Sequence, residues 1–141
     1  MSKQNKNRIK LNIPINQGKK FKLPETIEMP DYDYPIFCFR HLHPDHNLDG
    51  CTNDEKKSLM EKIVKLSQLS WLDMQNTQRH GLGTEKILIS SIKPKCPDFI
   101  TDDVTYLLAL RFDGRKPILG HRDRFVFHVI FIDNKFSVYN H

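Results

Sequence analysis

A chain of 141 residues with 38% apolar and 28% charged side chains has the length and composition of one soluble domain with its own core. No run approaches the roughly 18 consecutive apolar residues that a membrane-spanning helix needs. The formal charge of +5 is uneven: residues 1–22 hold seven cations and no acid, so taking those seven from +5 leaves −2 for residues 23–141.

The basic leading stretch lacks an apolar core and a small-residue cleavage site, so no secretory signal is expected and the cytoplasm is the default location. Cys38, Cys51 and Cys96 form no CxxC pair and read as reduced thiols. Within residues 1–24, Ile9, Leu11, Ile13 and Ile15 alternate with Lys10, Asn12 and Pro14. That is the period of a half-buried strand, and Pro14 restricts it to a sheet edge. The segment is expected to be a basic arm or an edge hairpin ahead of a single α+β domain at 25–141.

Prolines 24, 30 and 35 mark an irregular lead-in, and residues 36–42 read as a strand. Thr52 and Glu55 form a capping box, opening a helix with Leu59, Met60, Ile63, Val64 and Leu66 on one stripe. Ser70 and Asp73 repeat the signal for a short second helix through Trp71, Leu72 and Met74. Ile87 and Ile89 mark the next strand, followed by strands at 104–112 and 124–133. In and beside the turn that joins those two lie Arg111, Arg115, Lys116, His121, Arg122 and Arg124. If Asn134-Lys135 is a two-residue turn, residues 136–141 return as the last strand and His128 faces His141. One face of that hairpin would carry Phe125, Phe127, Phe131, Phe136 and Val138 toward the helices. The other would gather His128, Ile130, Ile132, Tyr139 and His141. The expected fold class is α+β: an N-terminal strand, two helices, then a largely antiparallel sheet of about four strands.

Four groupings carry possible chemistry. His128, Tyr139 and His141 would place two imidazoles and a phenol together, suited to general acid–base work. The arginine cluster suits phosphate, which guanidinium grips through two N–H groups. In the stretch 79–85, two glycines precede Glu85, a candidate base or arginine partner, and His80 is a candidate for substrate contact or for capping the short helix. His41, His43, His46 and Cys51 offer donor types that zinc takes, in a spacing that matches no standard site.

The order strand, helix, helix, antiparallel sheet resembles the RelE/YoeB-type ribonuclease toxins of bacterial toxin–antitoxin pairs. Three blocks from residue 36 onward carry the likeness: Gly81-Leu82-Gly83-Thr84-Glu85, His121-Arg122-Asp123-Arg124 and Tyr139-Asn140-His141. Some of these blocks are also similar to small bacterial proteins of no assigned activity. The toxin resemblance implies an RNA endonuclease that uses no cofactor or metal. Glu85 would be its base, Arg122 the transition-state stabiliser, and Tyr139 or His141 the group near the leaving oxygen. His128 joins these as a further candidate. Arg111, Arg115, Lys116, His121, Arg124 and His80 would contact substrate. The implied partners are RNA or the ribosome, and an antitoxin-like protein that covers the cationic surface. The alternative is a non-enzymatic interaction module that docks through its N-terminal strand.

Overall fold

The computed structural model describes residues 34–77 and 83–141. The expected arm at 1–24, His80, and the first two residues of the glycine segment lie outside the described residues. Within them the order is β1 (Ile36–Cys38), α1 (Asn53–Ser67), α2 (Trp71–Gln75), β2 (Thr84–Leu88), β3 (Tyr106–Asp113), β4 (Lys116–Asp123) and β5 (Val126–Ile132). The five strands form one mixed sheet in the order β1-β5-β4-β3-β2. β1 runs parallel to β5, and the other neighbours are antiparallel. No helix among the described residues is long and apolar enough to cross a membrane.

Both helices begin where their caps stand. The Thr52 hydroxyl accepts from the Glu55 amide and the Glu55 carboxylate accepts from the Thr52 amide. Ser70 and Asp73 do the same for α2. Such a cap supplies acceptors to amides that the first turn leaves unbonded. The buried stripe of α1 is narrower than its periodicity predicts: Leu59, Ile63 and Leu66 pack inward, whereas Met60 and Val64 are exposed.

The helices cover one sheet face. Leu59, Leu66, Trp71 and Met74 pack against Leu110, Phe112, Ile118, Phe127, Val129 and Ile132. The opposite face holds Ile87, Leu107, Ala109, Leu119, Ile130, Phe131, Val138 and Tyr139. A non-strand segment covers it through Ile89, Ile92, Cys96, Phe99 and Ile100. Each fully buried Leu, Phe or Met contributes roughly 1.5–3 kcal/mol, so both layers matter to stability.

Two expectations are corrected. Residues 113–123 are not a connecting turn: only Gly114 and Arg115 separate β3 from β4, and Lys116–Asp123 is a central strand. Pro117 obscured this. It stands beside a register shift between Arg111 and Asp113, where a missing ladder donor is tolerated. The closing hairpin is also absent. Residues 133–141 leave the sheet as a non-strand segment. The buried Asp133 carboxylate accepts from the Ser137 amide at 2.8 Å and the Val138 amide at 3.1 Å. Those amides are satisfied locally and have no need of a strand partner.

The expected face assignment holds for Phe127, Ile130 and Tyr139 and inverts for Phe131, Ile132 and Val138. Leu119 pairs with Phe131 and Gly120 with Val129, so Ile130 is an extra residue in β5. Such a bulge shifts the alternation by one. Phe127 faces the helices as expected and Val129 shares that face, while past the bulge Phe131 joins the opposite layer with Tyr139. Ile132 is in the helix layer. Phe125 and Phe136, expected inward, are substantially exposed. The loop after β1 bonds the edge of β5 beyond His128: the His43 amide donates to the Ile130 carbonyl, and the Ile132 amide to that of His46. Gly120 sits inside this crowded region, where a Cβ would lie 2.2 Å from the His128 carbonyl oxygen.

Candidate functional site

On the face away from the helices, β2 and β3 bring an acid and an arginine together. Glu85 pairs with Ala109, so Glu85 and Arg111 are diagonal neighbours on one face. Arg111 Nη2 donates to Glu85 Oε2 in a salt bridge. Its Nη1 donates to the Tyr139 hydroxyl at 2.9 Å. Arg111 is buried, which suits a guanidinium whose charge has a carboxylate partner.

The C-terminal segment completes the group. The rings of Tyr139 and His141 lie 3.9 Å apart, and His141 Nε2 lies 3.4 Å from Asp133 Oδ2. One carboxylate thus shapes the tail backbone and approaches the imidazole. Burial pushes the Tyr139 phenol up from its ordinary pKa; Glu85 and Asp133 reinforce this and Arg111 opposes it. Tyr139 is therefore a neutral hydroxyl near pH 7, able to accept from Arg111 and to donate elsewhere.

These groups border an open cleft of about 670 Å³. Glu85, Arg111, Arg115, Tyr139 and His141 all line it, and Asn140 and Ser91 add polar edges. Leu88 and Phe136 give it apolar surface, and both are exposed. Lys86 stands on the same lining, its ammonium 4.7 Å from the centre of the Tyr106 ring. This volume lies within the range of roughly 300–1,000 Å³ usual for small-molecule sites.

The other predicted residues lie elsewhere. Arg122 stacks over Trp71, 4.2 Å from the ring centre, and donates through Nε to the Arg124 carbonyl. Arg124 occupies the β4–β5 turn with φ +55°. Lys116 is drawn to the helix side, where its Nζ lies 3.4 Å from Glu55 Oε2. His121 and His128 are opposite each other on β4 and β5. Both neighbour Phe99, with ring centres 6.2 and 5.3 Å away. The predicted His128–His141 pairing does not occur, because His128 lies in a strand and His141 in the tail that leaves the sheet. Burial holds the His128 imidazole below its ordinary pKa, with His41 and His121 adding to the effect and Asp123 opposing it.

Among the described residues, no group of three or more His, Cys, Asp or Glu is placed to hold a metal ion. His43 Nδ1 instead accepts from the Asp45 amide at 3.1 Å. Cys51 is buried, which pushes its thiol up.

Sequence reasoning missed Asp133 and Phe136. An Asp followed by Asn-Lys-Phe-Ser is a signal for a carboxylate that bonds nearby backbone, and could have identified the first. Phe136 offered no signal beyond being aromatic. Comparison with known proteins adds no assignment: no family model, curated protein or solved structure matches the chain.

Proposed function

We propose that this protein is a ribonuclease of the toxin type, cutting RNA by general acid–base chemistry in the Glu85–Arg111 cleft. The observation that carries the reading is the buried Arg111 held between Glu85 and Tyr139, with His141 beside them on one open cleft. A carboxylate, a guanidinium and an imidazole can supply the base, the charge stabilisation and the acid for transfer of a phosphoryl group to an internal hydroxyl.

In this reading Glu85 removes the proton of a ribose 2′-hydroxyl. The 2′-oxygen bonds to phosphorus as the bond from phosphorus to the 5′-oxygen breaks. Arg111 and Arg115 neutralise charge that gathers on the phosphate oxygens; Arg111 has five N–H donors, so its two internal bonds leave others for substrate. His141 protonates the departing 5′-oxygen. Its Nε2 is turned toward Asp133, so proton delivery falls to Nδ1. The products are a 2′,3′-cyclic phosphate and a 5′-hydroxyl. Arg111 takes the stabilising role that the resemblance would give Arg122, because Arg111 lines the cleft and Arg122 stacks on Trp71. A partner protein covering the cationic edge of the cleft would silence the enzyme.

Incubation of the purified chain with RNA, with and without ribosomes, tests the proposal. Cleavage leaving cyclic phosphate ends, lost in Glu85→Gln and Arg111→Met, is the expected result. Intact RNA under all conditions, and normal growth on overproduction, would refute it.

A second reading is an interaction module that uses the β1 edge. It is favoured by the exposure of Tyr34, Ile36 and Phe39 there. Loss of a co-purifying partner in Ile36→Asp, with no effect of Glu85→Gln, would support this reading instead.

A further inference from the structure

We propose that Phe136 is the platform on which one nucleobase of a single-stranded RNA stacks while its phosphate sits at Arg111; the inference rests on the ribonuclease reading above. Phe136 lines the cleft, and 40% of its surface is open. Its backbone has φ +54°. A bulky residue there is strained, and glycine or asparagine would hold the turn at lower cost. A turn alone does not require an aromatic ring at this position, and neither does the core, since the ring is only partly covered.

The surroundings fix the ring in place. On its C-terminal side the Asp133 carboxylate binds the amides of the next two residues, Ser137 and Val138. Against the ring itself stands His141, 4.9 Å between centres with planes at 83°. His141 is the proposed proton donor to the leaving oxygen, so a base on Phe136 lies next to the scissile bond. Leu88 adds apolar surface to the same cleft, while Asn140 and Ser91 can bond a base edge. An aromatic face accepts any base, so this platform positions the strand with little sequence preference. Strained residues are concentrated where a ligand is clamped, because the surrounding structure must over-determine them.

The test uses a 2′-O-methyl hexanucleotide carrying one 2-aminopurine, which cannot be cut because its attacking hydroxyl is blocked. Stacking quenches 2-aminopurine fluorescence. The full-length protein is expected to bind and quench it. Phe136→Ala and Phe136→Gly are expected to weaken binding roughly ten- to a hundredfold and abolish quenching. Phe136→Trp should retain both. The glycine variant removes the backbone penalty while preserving the chain path, so it separates a lost ring from a disturbed loop. Wild-type RNA cleavage with unchanged binding and quenching in the alanine and glycine variants would overturn the platform and leave the ribonuclease reading standing. Neither binding nor cleavage of any RNA by the wild type would overturn both.

Discussion

Arg111 donates one guanidinium N–H to the Tyr139 hydroxyl at 2.9 Å and another to Glu85, joining the edge strand β2, strand β3 and the C-terminal segment through one buried side chain. Tyr139 and Arg111 are 28 residues apart in sequence, and Glu85 and Arg111 are 26 apart.

Arg111→Met is therefore expected to damage stability and activity together. It removes the guanidinium that donates to the Tyr139 hydroxyl and to the Glu85 carboxylate. Because Glu85 is partly exposed, the cost is about 1–3 kcal/mol rather than that of a fully buried charge. Urea titration measures that loss. On the ribonuclease proposal, RNA cleavage should fall by roughly two to three orders of magnitude, the scale for losing a charge-stabilising donor. Full activity in this variant would remove Arg111 from the chemistry.

Asp133 supports the site from behind. Asp133→Ala removes the acceptor of two backbone amides and the neighbour of His141. A loss of about 1–3 kcal/mol is expected. The Ser137 and Val138 amides should exchange with deuterium much faster than in the wild type. Unchanged exchange at those amides would show that the tail is held by something else.

Acid should weaken the fold through His128. Its folded pKa is depressed by burial, so between that value and the unfolded value near 6.5 the unfolded chain binds more protons. Stability then rises with pH across this window and falls as pH drops below about 6.5. Replacing His128 with Phe should flatten the melting temperature between pH 5 and 7 on the same principle. An equally steep acid dependence in that variant would assign the effect to other groups.

Gly120→Ala tests the crowding at the bulge. The added Cβ would meet the His128 carbonyl oxygen at 2.2 Å and Phe127 Cζ at 2.8 Å. The backbone contact cannot be relieved by turning a side chain, so the cost should reach or exceed the roughly 1–3 kcal/mol of ordinary overpacking. Thermal melting reads this directly. A melting temperature equal to that of the wild type would mean that β4 and β5 can separate locally at no cost.

Glu85, Arg111, Arg115, Tyr139 and His141 were each candidates in the sequence, Tyr139 and His141 through a hairpin that the structure lacks. Their assembly was not. The register that puts Arg111 beside Glu85 depends on which residue faces Ala109, and a propensity pattern carries no register. Lys116 and Arg122 have the same chemistry as Arg111 but answer to other partners, Glu55 and Trp71.

Local chemistry was enough for the two helices. Thr52 with Glu55, and Ser70 with Asp73, satisfy amides within one turn, so their signal is complete in four residues. The presence of β3 and β5, and the helix face of Phe127, also followed from the nearby pattern. The strand character of 116–123 and the Ile130 bulge were decided by partners far along the chain. A proline in a strand and an extra residue in a ladder are each tolerated only where distant backbone permits. Short-range periodicity contains no term for such contacts, and the cleft exists because of them.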